Sequence, residues 1–168
     1  LLYNDISSKI SAPLPSDLGG AFSFEFLVKP SSTDFMTYLS RWETTGDNRN
    51  SFILFQEPGA NGVKLNFYIR NSAGQEFYLS YPGGIINAGV WQHIVANYDG
   101  SNMKIYVNGV EKASVAANGN VNPSINYFVV GAFLGGRTIS MIYSGSMDNL
   151  IIYNRALTLD EIQSKVTS

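Results

Sequence analysis

The dipeptide Asn108-Gly109 stands between two runs of alternating residues, 103–107 and 110–115. It is the strongest short signal for a tight hairpin, because both central residues of a type I′ turn need positive φ, which Asn and Gly tolerate. Upstream, Asp99-Gly100 closes another turn after the run Trp91 to Tyr98. Residues 91–115 therefore predict three antiparallel strands in a meander. Side chains alternate along a strand, so Met103, Ile105 and Val107 face one way and Lys104 and Tyr106 the other.

The same period of two runs through much of the chain. Ala21 to Lys29 puts Phe22, Phe24, Phe26 and Val28 on one face, and Pro30 stops it. Further strands are expected over 1–13, 35–42, 51–57, 63–71, 76–81, 125–131 and 145–154. Residues 43–50 read as a polar loop and 132–144 as a long Gly-rich loop. Thr158-Leu159-Asp160-Glu161 has the form of a capping box, in which hydroxyl and carboxylate satisfy free backbone amides reciprocally. It opens a short helix over about 159–166, with Asp160 and Glu161 at the positive end of its dipole. Roughly eleven or twelve short strands at regular spacing predict an all-β fold, an antiparallel two-sheet sandwich with one short C-terminal helix. At 168 residues the chain reads as a single domain, 1–168. It begins Leu1-Leu2-Tyr3 without Met, the expected look of a domain excised from a larger protein.

Composition excludes several functions. The net charge is −2, so no basic field exists to hold nucleic acid or an anionic membrane. There is no Cys and one His, which removes disulfides, thiolate metal sites and relays through two imidazoles. No apolar run approaches the roughly 20 residues of a membrane-spanning helix, so membrane insertion is not expected.

Four segments carry a family likeness in order: Phe24 to Pro30, Trp91 to Gly100, Lys104 to Gly109, and Gly145 to Leu157 leading into Asp160-Glu161-Ile162. Together they resemble a laminin-G-like, or pentraxin-like, domain of the concanavalin A-like lectin and glucanase superfamily, over nearly the whole chain. The resemblance implies a jelly-roll sandwich of two curved sheets. It also implies a non-catalytic module, often glycan-binding, attached to secreted enzymes, adhesins or surface proteins.

Related glucanases carry their catalytic carboxylates on one strand in a Glu-x-Asp-x-Glu-like arrangement, and no segment here has it. Glycoside hydrolysis needs two such groups flanking the scissile bond, so no catalytic residue is assigned. A Ser-His-Asp hydrolase would have to use His93, which reads instead as a satisfied, partly buried strand residue. Pentraxin-like domains place an Asp-Asn pair on calcium where Asp47-Asn48 stands. Their second ligand cluster corresponds to the stretch after Val130-Gly131, and Ala132 to Gly136 contains no carboxylate or amide. Hard cations want clustered oxygens. The reading is therefore no cofactor and no metal, with Asp47 and Asn48 as the candidates should calcium bind.

Sugars are held by an aromatic ring under their C–H face and by planar polar groups on their hydroxyls. Long loops on a rigid sandwich are where such groups collect. Trp42, Asp47, Asn48, Arg49 and Asn50 on one side, and Phe133, Arg137 and Tyr143 on the other, form the candidate ligand-binding set. The alternative is a core Trp42 beside solvated turns. Tyr68, Tyr78 and Tyr106 oppose apolar faces and are expected on an outer sheet surface, as cross-strand packing or a shallow platform. The function expected is a lectin-like, carbohydrate-binding recognition or adhesion module of an extracellular or cell-surface protein. The alternative is a protein-interaction or oligomerising tip domain of an adhesin or fibre, without glycan binding. The partners are then a glycan, a surface protein or a second copy of the chain.

Overall fold

The computed structural model describes residues 2–3, 10–13, 18–42, 50–122, 127–135 and 138–166. The strands, in chain order, are β1 (Leu2–Tyr3), β2 (Ile10–Pro13), β3 (Phe22–Pro30), β4 (Met36–Arg41), β5 (Phe52–Glu57), β6 (Val63–Arg70), β7 (Glu76–Ile86) and β8 (Gln92–Tyr98). They continue as β9 (Asn102–Val107), β10 (Val110–Ala116), β11 (Tyr127–Val130), β12 (Phe133–Gly135), β13 (Thr138–Ser140) and β14 (Gly145–Tyr153), before helix α1 (Leu159–Val166). Sheet A has the order β1-β14-β3-β8-β9-β10, sheet B the order β2-β11-β4-β5-β6-β7, and β12 pairs with β13 as a separate ribbon. All pairings are antiparallel. The expected all-β jelly-roll sandwich with one C-terminal helix is the fold observed.

Alternation builds the core. Phe22, Phe24, Phe26 and Val28 of β3 face Phe52 and Leu54 of β5 and Leu65, Phe67 and Ile69 of β6 across the sandwich, all buried. Ring centroids lie 4.7 Å apart for Phe24–Phe52 and 5.0 Å for Phe22–Phe24, in tilted geometries that aromatic quadrupoles favour. The meander 91–115 forms as expected, with Asn108 at φ 50° and Gly109 at φ 75°, and Met103, Ile105 and Val107 in the core.

Three expectations need correction. The predicted entry strand over 1–13 is two strands serving different sheets, β1 on β14 and β2 on β11. The predicted strand 76–81 runs on to Ile86. Val63 pairs with Ile86 and Leu65 with Tyr81, so Pro82-Gly83-Gly84 form a bulge rather than an end. The loop 132–144 contains the β12–β13 ribbon, with Phe133 opposite Ser140.

The outward face of sheet A is covered by the chain's end. Leu157 and Ile162 pack on Val95 and Tyr106. The Ser23 hydroxyl donates to the Arg155 carbonyl and accepts from Leu157 N–H, both at 2.9 Å, and the Asn97 amide donates to the Leu157 carbonyl at 2.9 Å. Burying Leu157 and Ile162 contributes roughly 1.5–3 kcal/mol each. The capping box is formed: Thr158 N–H donates to Glu161 Oε2 at 2.8 Å and Glu161 N–H to Thr158 Oγ1 at 3.3 Å.

Candidate binding face on sheet B

Sheet B keeps its outward face clear of the helix. Pairing across β4 to β7 aligns two rows there. One is Ser40, Ile53, Tyr68 and Tyr78; the other is Thr37, Phe55, Asn66 and Ser80. Trp42, two residues beyond Ser40, points to the same side. Tyr68 is the centre of a ring cluster, with edge-to-face contacts to Tyr78 at 4.7 Å, Phe55 at 5.2 Å and Trp42 at 6.4 Å. Tyr78 is 54 % exposed, Trp42 and Tyr68 are half-buried, and Phe55 forms the floor.

Charged groups rim the rings. The Asn66 amide donates to Glu57 Oε1 at 3.3 Å, and Lys64 Nζ lies 3.7 Å from the same oxygen. Arg70 Nη1 donates to Glu76 Oε1 at 3.2 Å, and the Tyr78 hydroxyl donates to Glu76. That bond, with burial and the Glu76 charge behind it, pushes the Tyr78 phenol up to about 12. Burial, helped by the Glu57 charge, also raises Tyr68. Both phenols are therefore neutral at physiological pH. Beneath them, Thr37 Oγ1 and Asn66 Oδ1 are buried without a hydrogen-bond partner among the described residues, which is rare for a side chain in a folded protein.

The ribbon rises beside this face. Ser40 Oγ donates to the Ala132 carbonyl at 2.8 Å, which fixes the ribbon's root on the outward side, and Thr37 N–H donates to the Met141 carbonyl at 2.8 Å. Met141 sits at φ 49°, a conformation that an unbranched non-glycine residue adopts at a cost.

Of the expected site residues, Trp42 joins the ring cluster and so is not a core residue. Phe133 is half-buried at the start of the ribbon. Asn50 is half-buried, and its carbonyl accepts from the Asn122 amide at 3.3 Å. Tyr143 is a correction: it is fully buried, its ring 5.4 Å from Tyr38 and its hydroxyl donating to the Ser146 carbonyl at 2.7 Å. It turns inward because its N–H closes on the Gly131 carbonyl, so its ring cannot serve as a platform. Asp47, Asn48, Arg49 and Arg137 lie outside the described residues. The three outward tyrosines divide between faces, with Tyr68 and Tyr78 on sheet B and Tyr106 under α1 on sheet A.

Phe55, Thr37 and Asn66 were not singled out in the sequence. Asn66 carried a signal, since Asn is depleted in strands and stands mid-strand opposite the core face. So did Arg41, the residue between Ser40 and Trp42 that points the other way. It is 6 % exposed, and burial lowers its guanidinium to about 10.

His93 is buried with its Nε2 3.0 Å from Glu25 Oε1, but its Nδ1 has no hydrogen-bond partner among the described residues, so the expected satisfied histidine is only half satisfied. Asp99 Oδ1 accepts from Ser101 and Asn102 N–H, a turn role. Among the described residues no group of three or more His, Asp or Glu is placed to hold a metal ion.

This architecture is that of a lectin-type jelly roll, with the helix on sheet A and the Tyr68–Tyr78 side of sheet B reaching solvent. The chain belongs to a laminin-G family of the concanavalin A-like lectin/glucanases superfamily, whose model matches residues 4–163. Three solved structures show the same fold. The native heptameric SAP-like pentraxin from Limulus polyphemus is 20% identical with TM-score 0.68, over 88% of this chain and 70% of that one. The Ruminococcus gnavus IT-sialidase CBM40 bound to alpha2,3 sialyllactose is 18% identical with TM-score 0.72, over 88% and 83%. The Botulinum neurotoxin serotype G binding domain is 18% identical with TM-score 0.74, over 99% of this chain and 41% of that one. No curated protein sequence matches the chain.

Proposed function

We propose that the domain is a non-catalytic carbohydrate-binding module of an extracellular or cell-surface protein, and that it holds a glycan on the outward face of sheet B. The observation that carries this is the ring cluster Trp42–Tyr68–Tyr78, with neutral phenols and the Glu57 and Glu76 carboxylates at its rim. A sugar ring stacks on such faces, and carboxylates and amides take its hydroxyls. The solved neighbours support a binding role by their names, one a carbohydrate-binding module with a sialylated sugar and one a toxin binding domain. The loop holding Asp47, Asn48 and Arg49 follows Trp42 directly in sequence, and Arg137 follows the half-buried Phe133. We propose that Asp47, Asn48, Arg49 and Arg137 supply polar contacts to the same glycan. Binding is direct, without calcium.

A glycan array read with calcium and again with chelator tests this. The expected result is binding that survives chelation. Trp42→Ala and Tyr78→Ala each weaken it roughly tenfold, as truncated aromatic anchors do. Trp91→Ala, before β8 on the other sheet, leaves it unchanged. Binding abolished by chelator would make the module metal-assisted. No binding to any glycan would sink the reading.

One observation favours a second reading, self-association or protein contact: Val90 and Trp91 are adjacent and exposed at 52% and 46%. A concentration-dependent mass in sedimentation, lost in Trp91→Ala, would establish it.

A further inference from the structure

Arg41 ends β4 on its inward side, in register with Phe52, while its carbonyl accepts from Ser51 N–H at 2.8 Å. Its side chain is more than nine-tenths buried, and its Nε and Nη2 atoms have no hydrogen-bond partner among the described residues. The pair matters. Nε–H and one Nη2–H lie parallel along one edge of the planar guanidinium, the edge that matches the two oxygens of a carboxylate. Burying two donors of a charged group without an acceptor is among the costliest arrangements in a folded protein. The guanidinium cannot escape by losing its proton, because burial lowers it only to about 10.

We infer that this edge of Arg41 is the seat of a carboxylate-bearing ligand, bound end-on at the rim of the sandwich core through two parallel N–H bonds. The site is separate from the ring cluster, since Arg41 and Trp42 point to opposite faces of sheet B, and it stands whether or not the outward face holds a sugar. A carboxylate can come from a small organic acid or from an acidic sugar. Both present the same planar pair of oxygens.

Melting temperatures of the whole domain in chloride, acetate and glucuronate at equal ionic strength decide the matter. In wild type, a carboxylate at about a hundred times its Kd raises Tm by roughly 5–10 °C over chloride. Equal shifts from acetate and glucuronate assign a small free acid, and a larger shift from glucuronate assigns an acidic sugar. Arg41→Met melts in chloride at or above the wild-type temperature, because an unpaired buried charge has been removed, and its carboxylate shift is lost. Arg41→Lys, a point charge without the fork, retains only part of the shift. An independent reading on wild type, which does not depend on any variant folding, is the Arg41 Nε–H resonance, expected to move on acetate titration. The inference is overturned if carboxylates leave wild-type Tm and that resonance unmoved. It is equally overturned if Arg41→Met melts several degrees lower in chloride, which would mean that a carboxylate of the chain itself fills the edge. A carboxylate shift of the same size in Arg41→Met would place binding elsewhere and also overturn it.

Discussion

Glu25 projects from the outward side of β3, yet it is buried, because the chain's end folds over it. Its carboxylate accepts from the Tyr153 hydroxyl at 2.6 Å and lies 3.0 Å from His93 Nε2 and 3.2 Å from Lys165 Nζ. Burial alone would raise its pKa, but the bonds from Tyr153, His93 and Lys165 outweigh it and hold the group below its ordinary 4.5. The stabilisation is therefore complete above about pH 4.5, the unfolded value, and is lost as pH falls through the lower folded value. Glu25→Gln should lower stability at pH 7 by roughly 2–3 kcal/mol. Urea titrations at pH 7 and at stepwise lower pH should show wild type losing that margin below pH 4.5 and the variant changing less. Equal acid slopes for the two proteins would show that Glu25 does not control the loss. Alternation in the sequence gives the direction of Glu25 and Asn66 correctly, but it would set Thr37 and Ser40 on opposite faces, and the register shift between Thr37 and Leu39 brings both outward. Their burial depends on which distant segment lies across them, the C-terminal stretch for one and the ribbon root for Ser40, and no local pattern encodes that. The same holds at the candidate face. Trp42 is legible as an outward neighbour of Ser40, whereas the inward turn of Tyr143 follows from its bond to Gly131.

Elements governed by local chemistry were readable in full. The hairpin of β9 and β10 and the cap of α1 each need only adjacent residues, and they also meet. A Cβ added at Gly109 would come 3.3 Å from Val166 Cγ2 and 3.6 Å from the Gln163 Cα, at a backbone φ of 75°. Gly109→Ala should therefore cost about 1–2 kcal/mol from backbone strain, with a further small loss from displacing the helix end. Thr158→Ala should cost about 1 kcal/mol by freeing the first-turn amide. Equilibrium denaturation with a fixed m-value measures both, and a neutral Gly109→Ala would show that the turn relaxes. The ribbon and the long β7 were missed because Gly and Pro mark both a bulge and an end. At Gly83 the bulge is needed: its φ is 135°, and a Cβ would stand 2.9 Å from the Asn61 carbonyl oxygen.

On the scale of the whole molecule, the last described strand lies inside its sheet, next to the edge. β14 lies between β1 and β3, with Gly145 opposite Pro30 and Tyr153 opposite Ser23. Sheet A therefore cannot close until the chain's end arrives, and the non-local pairing predicts slow folding, in milliseconds to seconds. A chain cut before Gly145 should show no cooperative transition in calorimetry, and a sharp transition in that fragment would mean that sheet B and the meander fold alone. The likeness over residues 4–163 was readable because turn glycines and core aromatics recur at fixed spacing, whereas the identity of a ligand depends on outward residues that follow no such rule. That division has an evolutionary side. In β5, β6 and the first half of β7, one residue in two faces the sandwich interior and the next faces outward, where Tyr68 and Tyr78 reach solvent and Ile53 and Phe55 are buried beneath them. Exchanges at Tyr68 and Tyr78 alter what the face offers and leave the interior as it is. A single inserted residue exchanges the two sets and ruins both. New specificities on such a scaffold are therefore reached by substitution within strands, and a library varying those two positions samples them without renegotiating the fold.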